Sequence, residues 1–322
     1  MIINQWYAVM PSNQIRKRQI SAVRRLNLDL ALFRYASGDL GCVADQCTHR
    51  GAALSKGKLN VDCVQCPFHG LEFDTKGKCR FIPANGIASK QDISRYNVRY
   101  FPVREEHGII YLWYGDEDKI ADEVPFFEDL DDMPFAYSEI SDNWNAHYSR
   151  CIENQLDVVH LPFVHANTIG RGNRKLVNGP AVELDKDTIR TSADNEVDVG
   201  QHPKTASEVT VSRDLFLLFK FPNIWMNHIS DKIRVMIFFA PVDDEKTILY
   251  LRFYSKASKL RFVNRIYAFF GKFGNRVIER QDKRIVVTQK PKVTSYRMHE
   301  KLLAGDLPVI EYRKRRDELK SK

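Results

Sequence analysis

Five of the six cysteines fall within residues 42–79, and two of them head short loops that also carry a histidine: Cys47-Thr48-His49-Arg50-Gly51 and Cys66-Pro67-Phe68-His69-Gly70. No other feature limits the fold as strongly. One thiolate and one imidazole on each of two loops is a metal-binding layout, and a closing Gly lets the backbone run close to an ion. The sixteen residues between the pairs, 50 to 65, leave room for a strand–turn–strand excursion. Met1 to Tyr7 lacks the basic-then-apolar layout of a signal peptide and reads as the start of a folded strand, so a cytoplasmic location is expected. Clustered cysteines in such a chain argue for metal or redox chemistry over a disulfide framework.

The donor count alone does not choose the metal. A tetrahedral Cys2His2 zinc site uses the same four ligands, but zinc fingers normally pair Cys with Cys and His with His before a recognition helix. Here each loop carries one of each, and no such helix follows. Cys63-x-x-Cys66 imitates a thioredoxin pair without the βαβ context it requires. Cys42, Cys63, Cys79 and Cys151 read as small buried apolar residues.

The 322 residues allow two domains, each with its own core. Residues 1–115 read as short strands and turns, with hairpins at Leu30–Tyr35/Leu40–Ala44, Leu71–Phe73/Lys78–Ile82 and Val98–Val103/Ile109–Tyr114. The acidic, irregular segment 116–135, with Pro125 and Pro134, reads as a linker. In 136–322, a helix over Asn143–Val159 precedes strands from Ala181 to Tyr254 and a second helix over Lys259–Thr288. Helices bracketing an antiparallel sheet give an α+β class. No stretch approaches the roughly 18 apolar residues of a membrane span. The net charge of +8 includes basic runs at Arg16–Arg25 and Arg313–Arg316. Without aromatic interleaving these runs do not suggest nucleic-acid binding; they read as solvated surface, the second as a frayed helix end. A basic bias also suits an acidic electron-transfer partner.

A second constellation lies at Asn154-x-x-Asp157-x-x-His160-x4-His165. Residues five apart sit about 140° around a straight helix, so one ion cannot take both His160 and His165 from it. Pro162 between them would bend the chain and let them converge. A carboxylate must come from later. Asp282 shares a helical stripe with Ile278, Ile285, Val286 and Gln289, which turns it toward the core; Glu279, beside Asn275 and Lys283, falls on the wetter side. A lone buried carboxylate is costly unless it binds metal or pairs with a cation.

The two loops resemble the Rieske family, with every cluster ligand in place: Cys47 and Cys66 on one iron, His49 and His69 on the other. Rieske proteins of cytochrome complexes carry an extra Cys on each loop, and Ala52 and Phe68 occupy those positions here. Oxygenases commonly have Tyr and Trp where this chain has Phe68 and Leu71. The second motif resembles the mononuclear iron motif of Rieske oxygenases. The resemblance implies an all-β Rieske [2Fe-2S] domain followed by a helix-grip-like antiparallel sheet, whose helices hold Fe(II) on His160, His165 and Asp282. It implies that Asp157 links His160 to His69 of a neighbouring subunit in a head-to-tail homotrimer, and that Asn154 approaches the iron. It further implies an NAD(P)H-dependent reductase or ferredoxin as electron donor, and dioxygen and a small organic substrate as reactants. The single-subunit-type monooxygenases and demethylases are the expected group. A dioxygenase large subunit is the alternative, and a non-enzymatic Rieske carrier leaves the last 200 or so residues unexplained.

Residues 260–273 are basic and aromatic-rich at helical spacing. They fit a helix packed on the sheet, a pocket entrance or a membrane-surface helix. The pocket wall is expected from strands between Phe219 and Phe239.

Overall fold

The computed structural model describes residues 1–130 and 135–321; Asp131–Pro134, part of the expected linker, and Lys322 lie outside the described residues. Two units are distinguished: Ile3–Val124 with Pro241–Asp243, and Pro125–Ala240 with Asp244–Lys322 and Met1–Ile2.

The first unit carries ten strands: β1 (Gln5–Pro11), β2 (Gln19–Arg25), β3 (Leu28–Arg34), β4 (Leu40–Ala44), β5 (Lys58–Leu59), β6 (Val64–Gln65), β7 (Glu72–Phe73), β8 (Cys79–Phe81), β9 (Val103–Glu106) and β10 (Ile109–Tyr114). They form antiparallel sheets in the orders β1-β10-β9, β2-β3-β4 and β5-β6-β7-β8. The third hairpin is shorter than its sequence suggests. Val98 N–H donates to Gly77 O and Phe101 N–H to Cys42 O, which pulls residues 98–101 away from β10. Phe33, Val43, Leu54, Val64 and Phe73 make a core around the two loop cysteines.

In the second unit β11 (Ala136–Trp144), β12 (Leu176–Asp185), β13 (Thr188–Glu196), β14 (Phe216–Lys220), β15 (Ile224–Ser230), β16 (Ile233–Pro241) and β17 (Thr247–Ser255) form one antiparallel sheet, ordered β11-β17-β16-β15-β14-β13-β12. The helices are α1 (Tyr148–Leu156), α2 (Leu161–Val164), α3 (Arg261–Val286) and α4 (Leu307–Lys320). The helix expected from Asn143 starts later, because Ala136 to Trp144 pair along β17 in unbroken register. His147 then caps α1, its Nδ1 accepting from Ser149 N–H at 3.3 Å. Burial lowers the His147 pKa to about 3, which keeps the ring a neutral acceptor.

Two basic readings are corrected. Arg313 and Arg316 are buried within α4 instead of fraying into solvent. Arg313 forms a bidentate pair with Glu153 of α1 at 2.9 and 2.7 Å and also reaches Glu300 at 2.7 Å. Arg316 donates to the Thr294 hydroxyl at 3.0 Å. Arg25 is likewise buried, its Nε donating to Val9 O at 2.8 Å. Paired guanidinium groups enter a core that solvated ones do not.

Helix α3 packs against β11 and β17. Its inward face runs through Asn264, Ala268, Glu279, Asp282 and Val286. At Gly271 an added Cβ would fall 2.5 Å from the Phe253 ring, so the close approach of helix to sheet requires glycine there. Glu279 is therefore on the buried side, contrary to expectation, and Ile285 is 43% exposed.

Candidate metal centres

The two cysteine–histidine loops are built alike. Cys47 N–H donates to Ala52 O and Gly51 N–H to Cys47 O; Cys66 N–H donates to Leu71 O and Gly70 N–H to Cys66 O. Gly51 and Gly70 have φ of 73° and 75°, a turn conformation most side chains resist. Both thiols are buried, whereas His49 and His69 are exposed at the loop tips with ring centroids 4.6 Å apart. Burial raises the Cys47 thiol to about 11, while backbone N–H groups of His49 and Arg50 aim at its sulfur and favour the thiolate. The four donors thus divide into a buried sulfur pair and an outer imidazole pair, which fits two irons bridged by sulfide. Cys42, Cys63, Cys79 and Cys151 are buried free thiols.

In the second unit α1 stops at Leu156, and Asp157 leaves it in extended conformation with its N–H still bonded to Glu153 O at 2.9 Å. The Asp157 carboxylate accepts from Val159 N–H at 2.7 Å. His160 opens α2 and His165 closes it. Pro162 lies in the first turn of α2, where a missing N–H costs nothing, so the break that aims the two histidines together falls before the proline and not at it.

Asp282 arrives from α3 to meet them. Its Oδ1 lies 2.9 Å from His165 Nε2 and 3.4 Å from His160 Nε2. Ligand atoms of His160, His165 and Asp282 all lie within 4.8 Å of one another, a set able to hold a metal ion. The opposite ring nitrogens differ: His165 Nδ1 is hydrogen-bonded to Gln281 Oε1 at 2.8 Å, whereas His160 Nδ1 faces Asp157 Oδ2 at 3.5 Å and makes no hydrogen bond among the described residues. Burial opposes charging His160, but Asp157 and Asp282 outweigh it and raise its pKa to about 9. Burial also opposes ionising Asp282, but His160 and His165 outweigh it and lower its pKa to about 2. The group is built around positive charge, a role a metal cation fills with the same donors.

These residues lie in a cavity of about 260 Å³. Strands β15 and β16 supply alternate side chains to its wall, Trp225, Asn227 and Ile229, then Val235 and Ile237. Asn154, Asn275 and Glu279 also line it. Buried polar atoms of Asn154, Trp225, Asn227, Asn275 and Glu279 lack a hydrogen-bond partner among the described residues. Burial, with Asp142 adding to it, raises Glu279 to about 7.

The comparisons with known proteins match both halves. Residues 5–97 fit the Rieske [2Fe-2S] domain, and residues 144–321, over half of the chain, fit the vanillate O-demethylase oxygenase C-terminal domain. The chain belongs to the Rieske oxygenase family. The 4beta-methylsterol monooxygenase of Methylococcus capsulatus is 34% identical over 160 residues, 49% of this chain and 43% of that protein. The oxygenase component of chloroacetanilide N-alkylformylase from Rhizorhabdus wittichii is 30% identical over 198 residues, 59% of this chain and 54% of that one. The chain thus spans about half the length of these curated relatives. NdmA of Pseudomonas putida CBB5 shares the fold, with a TM-score of 0.81 at 22% identity, covering 99% of this chain and 90% of that one. The Rieske match and the two loops give the chain a [2Fe-2S] domain. No helix among the described residues is long and apolar enough to cross a membrane.

Sequence reading missed Gln281, Gln155 and Thr168. Gln281 also accepts from Thr168 Oγ1 at 2.9 Å, and Gln155 Nε2 reaches Asp282 Oδ2 at 3.4 Å. Adjacency to the ligand candidates was the only signal for the two glutamines. Trp225 and Asn227 carried none beyond strand alternation.

Proposed function

We propose that the oxygenase holds a mononuclear Fe(II) on His160 Nε2, His165 Nε2 and Asp282, and hydroxylates or oxidatively demethylates a small, mostly apolar substrate. The observation that carries this reading is the convergence of the three side chains on the floor of an apolar-walled cavity. Two imidazoles and one carboxylate leave open positions where a non-haem iron activates dioxygen. Cys47, His49, Cys66 and His69 would hold the [2Fe-2S] cluster, which would supply one-electron transfer from a reductase or ferredoxin. The balance is RH + O2 + 2 electrons + 2 protons giving ROH + H2O; when the new hydroxyl lies on an O- or N-methyl carbon, the product loses formaldehyde.

The chain's own groups supply position and exclusion. Gln281 orients the His165 ring through its far nitrogen, which fixes the tautomer and leaves Nε2 free to bind, and Asp157 stands 3.5 Å from the far nitrogen of His160. The apolar side chains of β15 and β16 keep bulk water away. The unpartnered groups of Asn154, Trp225 and Asn227 are suited to hold one polar function of the substrate. Similarity to a chloroacetanilide N-alkylformylase oxygenase component and a 4beta-methylsterol monooxygenase supports oxidation at carbon–hydrogen bonds.

Assembly follows the same reading: a homotrimer in which Asp157 joins His160 to His69 of the partner subunit. Exposure of His69 and the position of Asp157 against His160 support it.

The test uses the anaerobic, dithionite-reduced protein with nitric oxide as probe. Fe(II) with an open position on these ligands gives a high-spin electron paramagnetic resonance signal that Asp282→Asn removes. Zinc at this site, or no nitric oxide signal from iron-replete protein, would overturn the proposal.

A further inference from the structure

The hydropathy of α3 is inverted. Its buried face carries Asn264, Glu279 and Asp282, whereas Phe262, Ile266, Phe269, Phe270, Phe273 and Val277 point outward, each between 47% and 66% exposed. At 100° per residue these six side chains fall within an arc of about 100°, opposite the buried face. The rings are ordered against each other, Phe269 lying 5.5 Å from Phe270 and 5.3 Å from Phe273. Scattered exposed apolar residues need no explanation, but a continuous stripe over four turns marks a contact surface.

The charged side chains of α3 from Arg261 to Arg276 have one sign. Arg261, Arg265, Lys272 and Arg276 flank the stripe, and no carboxylate occurs in the sequence between Glu245 and Glu279. Lys272 Nζ lies over the Phe269 ring at 4.3 Å, its stem along the apolar surface and its charge at the edge. We infer that the outer face of α3, from Phe262 to Val277, docks on an anionic phospholipid surface, with the aromatic stripe in the headgroup–acyl boundary and the flanking cations on lipid phosphates. A basic flank beside a bulky apolar face is the composition of an interfacial helix. A second copy of the chain fits less well: a two-fold contact would set these cations against their own kind.

The same helix continues into the cavity wall at Asn275, Ile278, Glu279 and Asp282. Docking would place the cavity beside a reservoir of membrane-dissolved apolar compounds, a consequence that rests on the oxygenase reading above, though docking itself does not.

The experiment is co-sedimentation of the cluster-loaded protein with vesicles of phosphatidylglycerol and phosphatidylcholine in equal parts, against vesicles of phosphatidylcholine alone. Partitioning should favour the anionic vesicles by about tenfold or more and fall with added salt. The pairs Phe262→Ser/Phe270→Ser and Arg261→Gln/Arg265→Gln should each lose about tenfold in partitioning, with cluster absorption unchanged. Three results overturn docking: wild-type protein left in the supernatant at low salt, variants that bind as wild type does, or a drop in oligomer size in the Phe pair, which would make the stripe an interface between copies. Iron content and the nitric oxide signal, read in the same samples, keep a failure of docking separate from a failure of the oxygenase reading.

Discussion

Gln281 Oε1 lies 2.8 Å from His165 Nδ1, the ring nitrogen turned away from Asp282. With Gln281 accepting, Nδ1 keeps the proton and Nε2 offers its lone pair to a metal. Gln281→Leu removes that acceptor without touching a ligand. The expected result is a loss of about 10–100-fold in affinity for the mononuclear iron, measured by chelator competition, with the Rieske spectrum intact. Unchanged affinity would mean that packing alone orients His165.

Asp157 faces His160 Nδ1 at 3.5 Å, longer than the bond Gln281 makes to His165, and in the proposed trimer it also reaches the partner. Asp157→Ala should therefore retain both metal sites yet lose coupled turnover. Stopped-flow reduction should show the cluster filling normally while transfer onward slows by orders of magnitude. Full-rate transfer, or an active monomer at high dilution, would place the electron path elsewhere.

Chemistry was more legible in the sequence than geometry. The cluster ligands sit within two short loops, and a loop's spacing travels with its sequence. The proposed third ligand had to be drawn from residue 282, and an amphipathic reading oriented Asp282 inward correctly. The same reading misplaced Glu279 and Ile285. On α3 the outward face is the apolar one, so hydropathy alone points to the wrong side as the core. Arg313 and Arg316 were misread for a related reason: a guanidinium enters a core when partners elsewhere in the chain are brought to it, here Glu153 and Glu300 to Arg313 and Thr294 to Arg316. No local pattern reveals them.

That network makes a stability prediction. Among the described residues, Arg313→Leu leaves the buried Glu153 carboxylate with Arg150, 3.5 Å away, to answer it. Breaking one side of a buried pair typically costs about 3–5 kcal/mol, whereas replacing both sides is far milder. Urea denaturation should show Arg313→Leu well below wild type, with Arg313→Leu/Glu153→Leu recovering much of the loss. Equal losses in the two variants would show that the guanidinium stabilises α4 by packing alone.

His147 makes the pH prediction. Its pKa, ordinarily 6.5, is lowered to about 3 by burial. The unfolded chain therefore takes up the proton first, so the stability His147 contributes is complete above about pH 6.5 and is lost as pH falls toward 3, at up to about 1.4 kcal/mol per pH unit. His147→Asn keeps a capping oxygen that does not titrate. Between pH 7.5 and 5 the variant should lose less stability than wild type; parallel curves would mean that His147 does not carry this dependence.

The central claim is that one chain holds two separate iron sites, with His160, His165 and Asp282 forming the second. Its most direct measurement is iron and sulfide per chain for anaerobically purified wild type, His160→Ala and Asp282→Asn. Wild type should hold three irons and two sulfides per chain. Each variant should keep two irons, two sulfides and the Rieske paramagnetic resonance signal while losing the third iron and all oxygenation. Wild type holding only two irons, or variants that keep the third, would contradict it.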